Sequence, residues 1–397
     1  MPHPRHRLRG LRRAACAALL AAPLLAASAA AQDALPTVRV VTDSAGQRLQ
    51  VDGRDFFVQG VNWDYVPIGQ NYAYSLWTQP EATIRAALDR EMPRLKAMGV
   101  NAIRQYAGIP PRWVRYIFQQ YGIHTVLNHP LGRYGVTVDG VYAPSTNYAD
   151  PAVRALLTRE VLALVEEFRD TPGVLVWLLG NENNYGLEWQ SAETENLPVG
   201  ERQRAKAAYL YSLVGEVAGA IKARDPRRPV AFANGDLQYL DLLAREARTL
   251  DILGSNVYRG RSFTDLFDRV KAAMGIPVMF TEFGADAWNE RTRREDQAMQ
   301  ARYLVAQWQE IYLNSHGKGA AGNAIGGFTF QWSDGWWKFG QETRLADHDI
   351  NASWSADAYP DDSRPGANNM NEEWWGIMAK GRPDRRGLFP LYPRAAY

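Results

Sequence analysis

Cysteine is almost missing from this chain of 397 residues, which has only Cys16. That residue lies in an N-terminal stretch built like a leader, so the rest of the chain has neither a disulfide nor a thiol nucleophile. Histidine is scarce too. Of six, the four outside the leader (His124, His129, His316, His348) form no ligand-spaced pair such as HExxH, which argues against a structural or catalytic zinc. No GxGxxG follows the first apolar run, so a doubly wound dinucleotide-binding sheet is only the second choice of fold. No cofactor and no metal site are expected.

An excess of positive charge is also lacking once the leader is set aside. Residues 1–31 combine five arginines (Arg5, Arg7, Arg9, Arg12, Arg13) with the apolar run ALLAAPLLAASAAA, which ends in small residues. This is how a secretory signal peptide is built, with cleavage expected near Ala31. The run is too Ala-rich and too short to span a bilayer comfortably. Its removal takes the balance of 45 basic against 43 acidic residues, +2, to 40 against 43, −3. The basic character therefore belongs to the leader, and no nucleic-acid partner is expected. The mature chain is expected to be periplasmic or secreted, with no membrane span after signal cleavage.

What is present is an ordinary globular composition, 46% apolar and 11% aromatic, arranged as an alternation. Strand-length apolar runs (FFVQGVNW, VNAIRQYA, HTVLNHP, VLVWLLG, PVAFANGD, DILGSNVYRG, PVMFTEFGADA, GGFTFQWSDGWW) are separated by amphipathic stretches with helical spacing. These helical stretches follow the first strand (EATIRAALDREMPRLKAMG), the second (PRWVRYIFQQYG) and the third (AVRALLTREVLALVEEFRD), then fall at 200–224 and near 237–248, 262–274 and 291–314. Such units over roughly 280 residues match a (β/α)8 TIM barrel in the α/β class. Residues 1–31 are read as signal peptide and 32–397 as a single catalytic domain. Ahead of the barrel, VRVVTDSAGQRLQVDGRDFFVQG reads as a short β-hairpin turning at VDGRD and capping the barrel floor. After residue 338 the pattern dissolves into an irregular C-terminal extension, with a last helix expected to begin at LYPRAAY.

The run VLVWLLGNENNYG poses a chemical question, because a segment greasy enough to be buried on both faces closes on Glu182 among three amides. In a (β/α)8 barrel the strands are buried while their C-terminal ends build the active site. Glu282, in VMFTEFGADAW, closes a second such run. Two carboxylates facing each other across the mouth are what glycosidic bond cleavage needs, one protonating the leaving oxygen while the other attacks or activates water. Asn62 and Trp63, Arg104 and Tyr106, Asn128 and His129, Asn256 and Tyr258, and Trp332 and Asp334 occupy other strand ends. An arginine or a tyrosine hydroxyl beside a carboxylate favours the ionised form that a nucleophile needs. Trp63, Trp189, Trp288, Trp332 and Trp336 lie at or just beyond strand ends, where an indole can stack on the C–H face of a sugar; Trp113, Trp177 and Trp308 read as core. Tyr185, Glu188 and Trp189 are placed on the leaving-group side. A carbohydrate is therefore the expected substrate.

This set resembles the retaining glycoside hydrolases of clan A, the (β/α)8 superfamily that includes families 2 and 5, with the family 2 catalytic domain the nearest match. The likeness is carried by GVNAIRQY, GNE, SNVY, TEFG and FQWSDGWW, in order over residues 50–338. It implies a β-glycosidase working by double displacement, with Glu182 as general acid/base, Glu282 as nucleophile and Asn181 as partner of the substrate 2-hydroxyl. Arg104 and Tyr258 would then support the nucleophile. The NAIRQY and GNE regions are also similar to fungal β-1,3-glucanosyltransferases, which keeps transglycosylation as an alternative. A non-catalytic carbohydrate-binding barrel is a further alternative, disfavoured because both glutamates are present.

Overall fold

Eight of the apolar runs become the parallel strands of one closed barrel. The computed structural model describes residues 35–397 apart from 107 and 189–191, so the leader reading and Trp189 lie outside the described residues. The barrel strands are β1 (Val58–Asn62), β2 (Ala102–Gln105), β3 (His124–His129), β4 (Val174–Leu179), β5 (Val230–Gly235), β6 (Ile252–Asn256), β7 (Val278–Phe283) and β8 (Ala324–Thr329). Each pairs with its neighbours in chain order, and β8 closes on β1 through Gly326 opposite Val58. Every residue of β4, β5, β7 and β8 is buried, which is why these runs are apolar throughout and do not alternate. Residues Pro36–Tyr397 form one compact unit.

Helices α1 (Glu81–Ala97), α2 (Pro111–Tyr121), α3 (Pro151–Phe168), α4 (Val199–Arg224), α5 (Leu240–Glu246), α6 (Leu266–Met274) and α7 (Gln297–Leu313) follow the first seven strands. Their ends have local causes. Asp150 caps α3 by accepting from the Ala152 and Val153 amides, with Pro151 supplying a helical φ at no loss of a donor. At the far end of α2 the chain leaves through Gly122 at φ 70°. Ile84, Leu88, Val114, Val161, Val214 and Val270 are fully or almost fully buried and join the core between helices and barrel. Among the described residues, no helix is long and apolar enough to cross a membrane.

The segment ahead of the barrel has three strands where a single hairpin is expected. Val38–Asp43 pairs with Gly46–Val51, which pairs with Arg54–Phe56, so the DG turn at Asp52–Gly53 is the second of two. It covers the N-terminal ends of the barrel strands: Val38 N–H donates to the Arg227 carbonyl, Gln47 N–H to Gly322 and Gln47 Nε2 to Gly275. Val38 and Leu49 pack with Val126, Leu175 and Met279 inside the barrel. The floor is thereby sealed, leaving the C-terminal ends of the strands for chemistry.

The last helix expected at LYPRAAY does not form. Leu391–Pro393 is a strand antiparallel to Met378–Lys380. Ile377, Met378, Leu388, Phe389 and Leu391 join the main core, so the extension buries its apolar side chains against the barrel without helical periodicity. Asp334, just ahead of this region, is fully buried and held by Nη1 and Nη2 of Arg394, at 2.6 and 2.8 Å. Its role is to anchor the extension.

Candidate active site

Glu282 lies on β7, with 7% of its surface exposed, at the centre of a converging set of donors. Its Oε1 accepts from Arg104 Nη1 at 2.8 Å and from the Tyr106 hydroxyl at 2.7 Å, while Oε2 accepts from the Tyr258 hydroxyl at 2.8 Å. Arg104 is fully buried; its Nη1 also donates to the Thr281 carbonyl at 3.1 Å, and its Nη2 donates to Asn128 Oδ1 at 2.6 Å and Asn181 Oδ1 at 2.7 Å. Burial opposes its charge, but the fields of Tyr106 and Glu282 more than offset this, so it stays a cation. Burial and then the Glu282 charge push both tyrosine hydroxyls well above their ordinary range, so they remain donors.

Glu182 sits on a tight turn after β4. Gly180 at φ 73° and Glu182 at φ 58° both take the left-handed conformation. A Cβ on Gly180 would come within 2.4 Å of the Phe232 ring, so glycine is required there for space as well as for backbone angle. A glutamate in that conformation is strained, and it persists because its surroundings fix it. Glu182 N–H donates to the Ala233 carbonyl at 2.9 Å, and Asn183 Oδ1 accepts from Asn181 N–H at 2.8 Å. Asn184 bonds the backbone of Gly235 through both its side-chain atoms. The amides that surround Glu182 in sequence thus serve mostly to build its turn.

Among the described residues, the Glu182 carboxylate accepts a side-chain hydrogen bond from Asn256 Nδ2, at 3.1 Å. Asn256 is oriented by Thr281, whose hydroxyl donates to its Oδ1 at 2.6 Å. Burial, followed by the negative charge of Glu282, pushes Glu182 up to about 7; Asn256, Arg133 and Arg104 act in the opposite sense. The two carboxylates are joined through Arg104, Asn181 and Asn256, because Asn181 Oδ1 accepts from both other side chains. Asn181 Nδ2 donates to the Tyr134 hydroxyl at 3.0 Å.

Other residues named from the sequence fall elsewhere. Asn62 is buried beneath Glu282, donating to the Thr281 carbonyl at 3.1 Å and accepting from Tyr106 at 3.1 Å, so it supports the site from below. Trp63 and Trp332 are core residues, 1% and 0% exposed, whose indoles both donate to buried Glu91 at 2.8 and 3.0 Å; neither ring has an open face for a sugar. His129 Nδ1 accepts from Leu131 N–H at 3.1 Å, its other nitrogen lies 3.7 Å from Glu160, and burial lowers its pKa to about 4. It closes a turn, and its hydrogen bonds do not reach the carboxylates. Trp336 stacks on His348, His348 on Trp374, and Trp288 lies tilted beside Trp374 at 5.1 Å. That stack is tied to the C-terminal extension. A strand end sends successive side chains to opposite faces, so a tryptophan near a strand end, such as Trp63 or Trp332, can be drawn into packing.

The same alternation identifies residues whose part the sequence reading left open. Tyr106 lies two positions after Arg104 and shares its direction, with the guanidinium 4.5 Å from the ring centre. Asn256 stands two before Tyr258 and reaches Glu182 while Tyr258 reaches Glu282. Tyr134 carried no such signal, since it comes from a loop after β3.

No protein-family model matches the sequence. The chain is similar to a probable mannan endo-1,4-beta-mannosidase C of Aspergillus terreus, 24% identical over 252 residues that cover 54% of this chain and 59% of that protein. It is also similar to the 1,3-beta-glucanosyltransferase GAS5 of Saccharomyces cerevisiae, 25% identical over 295 residues, 70% of this chain and 54% of that one. It thus spans between half and three-fifths of the length of these curated relatives. In fold it matches a GH2 beta-galacturonidase from Eisenbergiella tayi with a TM-score of 0.55 at 16% identity, covering 91% of this chain and 52% of that one. In fold, the chain is a closed (β/α)8 barrel similar to the one in that beta-galacturonidase.

Proposed function

We propose that the protein is an exported retaining β-glycosidase that cleaves a polysaccharide or oligosaccharide by double displacement. The observation that carries this reading is the unequal setting of the two glutamates. Glu282 receives three donors, one of them cationic, as an attacking carboxylate requires. Glu182 is held by a neutral amide and keeps its proton up to about pH 7, as an acid requires. In the first step Glu282 attacks the anomeric carbon while Glu182 gives its proton to the departing oxygen. In the second, Glu182 takes a proton from water as that water displaces Glu282. Asn181 Nδ2, with one hydrogen directed to Tyr134, has its second for the sugar 2-hydroxyl.

A second reading, transfer of the glycosyl unit to another sugar in place of water, is supported by the similarity to a 1,3-beta-glucanosyltransferase over 70% of this chain. It uses the same two carboxylates. Proton NMR of the anomeric signal during turnover of an aryl β-glycoside tests the mechanism: retention gives the β anomer first. An α anomer appearing first would overturn double displacement. Export rests on the leader, and sequencing the N-terminus of the exported chain tests it.

A further inference from the structure

Beside the turn that carries Glu182 stands a feature to which the two-carboxylate reading gives no task. The chain leaving β3 turns at Leu131, φ 49°, and rises into a hairpin of Val136–Val138 against Val141–Ala143. It is fixed to the Glu182 turn. Asn183 Nδ2 donates to the carbonyls of Pro130 and Leu131 at 3.1 and 2.9 Å, and Asn181 Nδ2 to the Tyr134 hydroxyl. Within the hairpin the Tyr142 hydroxyl donates to the Tyr134 carbonyl at 2.9 Å. A Cβ on Gly135, φ 94°, would come within 2.9 Å of the Tyr142 ring, so the bare glycine lets that ring lie against the backbone.

Two aromatic rings are thereby held in place and yet left in solvent, Tyr134 at 65% and Tyr142 at 61% exposure. Isolated surface aromatics are ordinary, but these two are linked through the Tyr134 backbone and, by the Tyr134 hydroxyl, to the turn that carries Glu182. Both border a cavity of about 260 Å3 whose other wall includes Leu156, Leu157 and Glu160 of α3.

We propose that Tyr134 and Tyr142 form a subsite for the leaving group and the acceptor, holding about two sugar units beyond the scissile bond by stacking on their C–H faces. This rests on the acid/base role given to Glu182 under Proposed function. Glu182 protonates the leaving oxygen, so the sugar attached to that oxygen lies on its side of the site, where Tyr134 is bonded to the adjoining residue. The Tyr134 oxygen accepts from Asn181, which leaves its own proton for a sugar oxygen. In the second half-reaction an acceptor hydroxyl held there attacks the anomeric carbon of the glycosyl–Glu282 intermediate. The bond from that carbon to Glu282 breaks, its electron pair returns to the carboxylate, and the acceptor proton passes to Glu182.

The test compares wild type, Tyr134→Ala, Tyr142→Ala and, as a remote control, Tyr312→Ala, an exposed tyrosine on α7. The probes are β-linked glucan and mannan oligosaccharides and the matching nitrophenyl β-glycosides. The readouts are the ratio of kcat/KM for oligosaccharide to that for aryl glycoside, and the share of transfer in the products. Both site variants are expected to lower the ratio about tenfold, mainly through KM, and to reduce transfer, while Tyr312→Ala leaves both alone. An unchanged ratio in both site variants overturns the subsite while leaving the carboxylate assignment standing. A Glu182→Ala variant that keeps the wild-type kcat/KM on the oligosaccharides overturns the Glu182 reading, and the subsite with it.

Discussion

Arg104 Nη1 lies 2.8 Å from Glu282 Oε1, in an ion pair whose side chains are 0% and 9% exposed. Both charges have left bulk water, so the pair persists only because its remaining hydrogen-bonding capacity is filled: Asn128 and Asn181 take the other guanidinium nitrogens, and Tyr106 and Tyr258 complete the carboxylate. Removing one partner leaves the other charge buried without compensation.

Arg104→Met is therefore expected to lower unfolding stability by roughly 3–5 kcal/mol and to abolish turnover. Arg104→Lys should not restore activity, since an ammonium cannot reach Asn128, Asn181 and Glu282 together as the planar fork does. Denaturant unfolding and kinetics on a nitrophenyl glycoside check both. A stable, active Arg104→Met variant would contradict the assigned support.

The acid role proposed for Glu182 implies a pH dependence. Its pKa is raised to about 7, first by burial and then by the charge of Glu282. An acid is useful only while protonated, so kcat/KM should fall as pH rises through about 7. Glu282→Gln removes the negative neighbour and should shift the Glu182 titration, followed by carboxyl-labelled NMR, to lower pH. A midpoint that does not move would separate the two groups electrostatically.

The same shift bears on stability. A carboxyl whose pKa is higher folded than unfolded contributes stability that is fully present below its unfolded pKa, the ordinary carboxylate value of 4.5, and that is lost as pH rises through about 7. Glu182→Gln keeps an acceptor for Asn256 and removes the titration. Its melting temperature should exceed that of wild type above pH ~7 and converge with it below pH ~4.5. Parallel curves would contradict the shift.

Gly180→Ala should be costly although the change is one methyl group. The residue needs φ 73°, and the added Cβ would come within 2.4 Å of Phe232 and 2.6 Å of Asn183 Oδ1. Displacing Asn183 loosens the turn that holds Glu182, so activity is expected to fall further than thermal stability does. A fully active variant would show that the turn tolerates another geometry.

Much of this was legible in the sequence for one physical reason: a strand buried on both faces cannot carry a carboxylate without a task, and Glu282 ends such a run. The barrel followed from apolar runs alternating with helical stretches. Legibility failed where a position near a strand end had to be given a direction. Trp63 and Trp332 stand beside predicted rim positions, yet both indoles turn inward to Glu91. Tyr134 was invisible for the opposite reason, since a loop residue has no periodicity and its tie to Asn181 depends on how the hairpin folds back. The strand at Leu391–Pro393 escaped because three residues between turns are too few to set a period.

The division of labour between the two glutamates is the central claim, and azide rescue tests it most directly. With an activated aryl β-glycoside that needs no protonation of its leaving group, Glu182→Ala should still form the glycosyl–enzyme, release it slowly, and turn over faster with azide to give a β-glycosyl azide. Glu282→Ala should form no such intermediate and, if azide restores turnover, should give the α-glycosyl azide. The swapped pattern, with Glu282→Ala giving the β product, would contradict the account.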